Sequence, residues 1–159
     1  MEVLLQQIIN GLVLGSMYAL VALGYTMVYG IIGLINFAHG EVLMVGALTS
    51  WSIIGLMKDA SPNLPGWLIL LMATLIACLV AAILNYVIEK AAYRPLRNSP
   101  KLAPLITAMG MSLLLQTLAR IVWTPNPKPF PTLLPPEPIE FAGAVITVTQ
   151  VLILGMTAV

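Results

Sequence analysis

The run from Val3 to Ile35 is 33 residues of almost uninterrupted apolar character. As one straight α-helix it would be about 50 Å long at 1.5 Å per residue, against a hydrocarbon core of about 30 Å. It must tilt strongly or break. Gly30 and Gly33 flank Ile31-Ile32 and are the expected place for a break, because glycine tolerates backbone conformations that other residues resist. Helix 1 is read as about Ile8 to Tyr29, followed by an irregular connection.

The rest of the chain has the same character. Over 159 residues, 60% are hydrophobic and 8% charged, with a mean hydropathy of +1.00. Soluble domains carry about 25% charged residues, so a water-facing surface cannot be built here. The fold class is therefore all-α, a polytopic transmembrane helix bundle of about five spans. The whole chain, residues 1–159, is expected to be one transmembrane domain. A net charge of +1 gives no clustered basic face for nucleic acid. The single cysteine, Cys78, excludes an internal disulfide and reads as a small buried hydrophobe. The start, "MEVLLQQ", has an acid where a signal peptide has basic residues, so the first run is expected to be a retained span.

Helix 2 ends near Met57, before "KDASPNLPG", and counting back about 20 residues places its start at Phe37 or Ala38. Asn36 then becomes the N-cap, and Glu41 falls in the first turns, where the helix dipole favours an anion. Helix 3 is about Trp67 to Val87, and helix 4 about Leu102 to Trp123 with Pro104 in its first turn. A fifth span is expected from near Phe141 to Val159. Before it, "TPNPKPFPTLLPPEP" has seven prolines in fifteen residues and reads as an extended loop.

The connection "EKAAYRPLRNSPK" holds Lys90, Arg94, Arg97 and Lys101, four of the seven basic residues; the other two main loops hold one lysine each. By the positive-inside rule this basic loop is cytoplasmic and the proline-rich loop lies outside. That parity puts the N-terminus outside, unless the 30–40 segment is re-entrant.

Few residues are equipped for chemistry. His39-Gly40-Glu41 matches the H-x-E half of a zinc deaminase signature, but P-C-x-x-C is absent. The only histidine cannot build H-E-x-x-H, and no metal site is expected. Ser16 lacks a G-x-S-x-G setting, so no catalytic residue is assigned. No lysine follows a glycine, so there is no P-loop and ATP-driven work would need a partner.

"INFAHGE", residues 35–41, sets an amide, an imidazole and a carboxylate among apolar runs. On one reading Asn36 is a cap, Glu41 a dipole partner and His39 an interfacial residue. On the other, irregular backbone around Asn36, His39, Gly40 and Glu41 lines a cavity, since broken backbone at membrane depth survives only when buried in protein or facing water. Ionisable groups at that depth are functional candidates. Helix 4 carries a second polar set: Ser112, Gln116 and Arg120 at i, i+4 and i+8 share a face with Ala108. Such a stripe lines a path, or it makes interhelical hydrogen bonds while Arg120 snorkels to the headgroups. Gly11, Gly15 and Ala19 form a small-residue ridge, and Tyr18, Tyr25 and Tyr29 share a face; both read as packing.

"NGLVLGSMYALVALGYTMVYGIIGLINFAHGEVLMVGA" with "IEKAAYRPLRNSPKLAPLITAMGMSLLLQ" resembles the permease subunits of branched-chain amino acid ABC importers, nearest to the leucine–isoleucine–valine H-type. The resemblance covers about Asn10 to Gln116; N-F-A-H-G-E and Y-R-P-L-R are its specific parts. It implies a multi-pass subunit of the bacterial inner membrane, paired with a second, similar permease. Two cytoplasmic ATPase subunits would carry the ATP and Mg²⁺, with no cofactor on this chain, and a periplasmic amino-acid-binding protein would deliver substrate. Of the family's positions, only Asn36 to Glu41 carry over. Family members are longer and hold their main ATPase-docking loop in the later half, so the chain is expected to be the N-terminal part of a permease. Related urea permeases share these motifs, which makes urea or short amides an alternative cargo; a non-transporting membrane scaffold is another.

The orientation is testable by labelling. A cysteine placed at Ser99 should resist membrane-impermeant thiol reagents in intact cells, and one placed at Thr132 should react. The reverse pattern would overturn the orientation.

Overall fold

The computed structural model describes residues 2–33, 35–100, 102–133, 138–141 and 144–158. Lys101, the Leu134–Glu137 part of the proline-rich loop and Val159 lie outside the described residues. Five helices follow one another: α1 Glu2–Ile32, α2 His39–Ala60, α3 Gly66–Ile88, α4 Leu102–Trp123 and α5 Val148–Ala158. The first four are long and apolar enough to cross a membrane, and α5 is a shorter apolar helix. This is a polytopic helical membrane protein. The chain forms two compact units, residues 1–31 with 134–159 and residues 32–133.

In the first unit, α1 runs through Gly30 without a break and ends at Gly33, whose φ of +68° lies in the left-handed region that glycine adopts freely. The expected stop near Tyr29 is thus three residues short; an isolated glycine costs an apolar helix only about 1 kcal/mol. The expected span from Phe141 is corrected too. Pro138–Phe141 and Ala144–Thr147 form an antiparallel hairpin with Ile139 opposite Ile146. Val145, Ile146 and Thr147 are β-branched and favour extended backbone. The helix waits for Thr147 and Gln150. Gln150 N–H donates to Thr147 Oγ1 (3.4 Å) and Thr147 N–H donates to Gln150 Oε1 (3.0 Å), a reciprocal capping box. The Gln6 side-chain amide pairs with both backbone groups of Val145, at 2.8 and 3.1 Å. A Cβ at Gly11 or Gly15 would meet nothing within 4 Å among the described residues.

In the second unit, α2 and α3 pack antiparallel. A Cβ on Gly46 would rest 3.9 Å from Ala81, and Ile54, Ile69 and Ala73 form one buried cluster. At the end joined by residues 61–65, Gly66 lies so near the Leu133 carbonyl that any side chain would collide with it. Trp51 Nε1 donates to Pro129 O (3.0 Å), Lys128 Nζ stacks 4.4 Å from the Trp51 ring centroid, and Trp123 Nε1 donates to Ser52 Oγ (2.7 Å). These contacts hold the proline-rich segment against α2. At the other end, Glu89–Tyr93 continues α3 as a π-helical turn and Arg94–Leu96 follows as a 3₁₀ turn. Lys90, Arg94 and Arg97 are exposed there, and Arg97 pairs with Glu89 at 3.3 Å.

The segment before α2 departs from expectation by two residues. Ala38, not Asn36, occupies the N-cap and makes no side-chain cap bond. Asn36 acts upstream: its Oδ1 accepts from Ala38 N–H (3.0 Å) and from Tyr93 Oη (2.8 Å), while its carbonyl accepts from His39 N–H (3.1 Å). This is an Asx turn closed by a β-turn, which lets the chain leave Gly33 and still enter the helix with its amides paired. Asn36 is 7% exposed and Ala38 fully buried, against Tyr93, Ala108 and Leu115.

Two variants separate these roles. Tyr93→Phe removes one donor and should cost about 1 kcal/mol, whereas Asn36→Leu strands two buried donors at about 1–3 kcal/mol each. Thermal unfolding of detergent-solubilised protein should therefore place Asn36→Leu well below Tyr93→Phe. Equal melting would show that the Ala38 amide does not depend on Asn36.

Candidate functional site

Glu41 lies in the first turn of α2, yet its partners are in the middle of α4. Ser112 Oγ donates to Glu41 Oε1 at 2.8 Å and Gln116 Nε2 donates to the same oxygen at 2.7 Å. Ser112 and Gln116 lie 3.5 Å apart, as their i, i+4 spacing on one helix face allows. Glu41 of "INFAHGE" and Ser112 and Gln116 of the α4 stripe, read separately in the sequence, are therefore one site.

The same bonds define depth. From Leu102 to Ser112, α4 has already travelled about 15 Å. Glu41 lies beside Ser112, so the first turn of α2 is recessed by about that much from the basic-loop end of α4, and the turn at Asn36–Ala38, three to five residues earlier, lies about 5–7 Å nearer that end. Irregular backbone at that depth needs internal partners, and Asn36 supplies them.

Above Glu41, between α2 and α4, is an open cavity of about 740 Å³. Glu41 and Gln116 form its polar floor, Met44, Leu48 and Ala119 its apolar wall, and Thr124 to Lys128 its rim. Arg120 also lines it, one turn beyond Gln116 toward the rim. Thr124 ends α4 with a φ of 64° and donates its N–H to Arg120 O (3.1 Å), turning the chain at the rim. Among the described residues Glu41 Oε2 accepts no hydrogen bond, and it is not a buried unsatisfied atom, so it is open to solvent space in the cavity.

His39 is not part of this arrangement. It lines a separate crevice of about 420 Å³ between α2 and α3, with Gly46, Cys78 and Ala81. On a helix, residues two apart do not face each other, so His39 and Glu41 point to different neighbours. Gly40 is exposed and a Cβ there would meet nothing within 4 Å, so no close approach requires a glycine. Cys78 is exposed rather than buried. No group of three His, Cys, Asp or Glu residues among the described ones is placed to hold a metal. Tyr93 enters the sequence only as the first residue of Y-R-P-L-R, with no role assigned; its bond to Asn36 depends on a π-helical turn that no local pattern signals.

The family profile described as "Branched-chain amino acid transport system / permease component" matches residues 7–159. BraD of Pseudomonas aeruginosa, a high-affinity branched-chain amino acid transport system permease protein, is 45% identical over 161 residues, covering 96% of this chain and 51% of BraD. The permease protein LivH of Escherichia coli K12 is 52% identical over 112 residues, covering 70% of this chain and 36% of LivH. LivH of Salmonella typhimurium is 51% identical over the same length. The chain thus spans about half or less of the length of these curated relatives. No solved structure matches it. With a family profile covering nearly the whole chain and relatives near half identity, the chain belongs to the permease component family of branched-chain amino acid transport systems.

Proposed function

We propose that the chain is a permease subunit of an ATP-driven ABC importer, translocating leucine, isoleucine and valine across the bacterial inner membrane. A second permease of the same family, two cytoplasmic ATPase subunits and a periplasmic amino-acid-binding protein complete the assembly in this reading. Catalysis then resides on the ATPase subunits. The orientation follows the basic loop: Lys90, Arg94 and Arg97 face the cytoplasm and the cavity rim at Thr124–Lys128 faces the periplasm.

The observation that carries this reading is the Glu41–Ser112–Gln116 cluster, a polar group in the middle of a nearly uncharged bundle and at the floor of a cavity. A carboxylate in a spanning segment costs at least about 2.5–3.5 kcal/mol to insert, so it persists where a pathway or a partner uses it. The relatives' names favour branched-chain amino acids over urea or short amides as cargo.

Uptake of labelled leucine, in cells lacking their own branched-chain importer and supplied with the partner subunits, tests the reading. Gln116→Leu removes a donor from Glu41 and should lower uptake roughly tenfold, the equivalent of one charge-assisted hydrogen bond. Leu114→Ala, on the exposed face of α4, should change it little. Equal losses would reduce the cluster to packing, and no uptake by the unmodified assembly would favour a scaffold.

A further inference from the structure

The cavity between α2 and α4 holds two opposite charges that do not meet. Glu41 has no cation within ion-pairing distance; among the described residues the one ion pair is Arg97–Glu89. Arg120 lines the same cavity, and its guanidinium has no hydrogen-bond or ion-pair partner among the described residues. Lys128, the other cation at the cavity, is stacked on Trp51. Glu41 is held from behind, with Ser112 and Gln116 both on Oε1, which leaves Oε2 toward the open space. Arg120 follows Gln116 by one turn, about 6 Å along α4. Between the two charges the wall is Met44, Leu48 and Ala119.

We propose that this cavity is a binding site for the zwitterionic head of an aliphatic α-amino acid. Glu41 Oε2 takes the α-ammonium, the Arg120 guanidinium takes the α-carboxylate, and the aliphatic side chain lies along Met44 and Leu48. A simple cation would satisfy Glu41 and be repelled by Arg120; a simple anion would do the reverse. Only a ligand carrying both charges close together compensates both residues at once. The volume, about 740 Å³, falls within the roughly 300–1,000 Å³ of small-molecule sites, and a mostly apolar wall with a few fixed polar groups is their usual composition. The neutral donors Ser112 and Gln116 hold the carboxylate in place without neutralising it, which leaves its charge for the ligand. This site deepens the reading of the chain as an amino-acid permease and rests on it for the choice of ligand.

The test is protection of a thiol from alkylation in membranes carrying the chain. Cys78→Ala removes the native thiol, and Met44→Cys places one on the cavity wall; Leu48→Cys is a second placement should the first fail to insert. Leucine should slow alkylation. Two analogues, 3-methylbutylamine without the carboxylate and 4-methylpentanoate without the ammonium, should each need about tenfold more for equal protection, the loss of one charge-assisted bond. In Glu41→Gln the advantage of leucine over 4-methylpentanoate should vanish, and in Arg120→Gln its advantage over 3-methylbutylamine. Protection by the amine equal to that by leucine would make this a cation site and overturn the proposal, as would equal protection by the acid or none by any ligand. Protection without leucine uptake by the complete assembly would overturn the importer reading and leave the site standing. Uptake without protection would overturn the site alone.

Discussion

Two hydrogen bonds to one oxygen organise the second unit. Ser112 and Gln116 grip Glu41 Oε1 and so set the start of α2 against the middle of α4. Because α2 starts there, the connection from α1 cannot be completed at the membrane surface and must turn at depth. Because it turns at depth, its amides need partners other than water, and Asn36 becomes the hub that supplies them. Tyr93 then has to reach Asn36 from beyond the end of α3, and the π-helical turn of Glu89–Tyr93 brings it there.

Packing in this unit depends on small residues. Ala38, Ala73, Ala77, Ala108 and Ala119 are among the buried side chains, while Leu71, Leu79, Leu113 and Leu118 stand exposed on the outer faces. In lipid, leucine gains little from leaving the surface, since hydrocarbon surrounds it either way, and helices associate through close contact of small residues and through polar bonds. Apolar side chains of this kind set no unique register between α2 and α4. The Glu41 bonds at one end and the Trp123–Ser52 bond at the other do. The cavity between them is the space left where two helices are tied at both ends and the alanine at 119 does not fill the gap.

Much of the helical plan was legible in the residues. The α4 boundaries, Leu102 and Trp123, follow from the charged and proline-containing segments on either side, and α3 differs from expectation by one residue at each end. The fifth element departs from the expected span because an apolar run by itself carries neither its β-branched stretch nor the Thr147–Gln150 capping pattern that marks the helix start. The cap before α2 differs from expectation because Asn36 can satisfy an amide at i+2 as well as from the N-cap, and spacing alone does not choose between them.

Sequence by itself determined that the chain lives in a membrane, the bounds of α4 and those of α3 to within one residue, and which few residues break the apolar pattern. Those are consequences of composition and of local backbone chemistry, which act over a handful of neighbours. It also contained both halves of the site, Glu41 in one segment and Ser112, Gln116 and Arg120 in another. Only the tertiary structure decided that Glu41, Gln116 and Arg120 face one cavity, with Ser112 bonded to Glu41 beside it, and that His39, two residues from Glu41, faces another. The reason is geometric: seventy residues separate the halves, and their meeting depends on the depth at which α2 begins, a quantity fixed by long-range hydrogen bonds that no local period encodes.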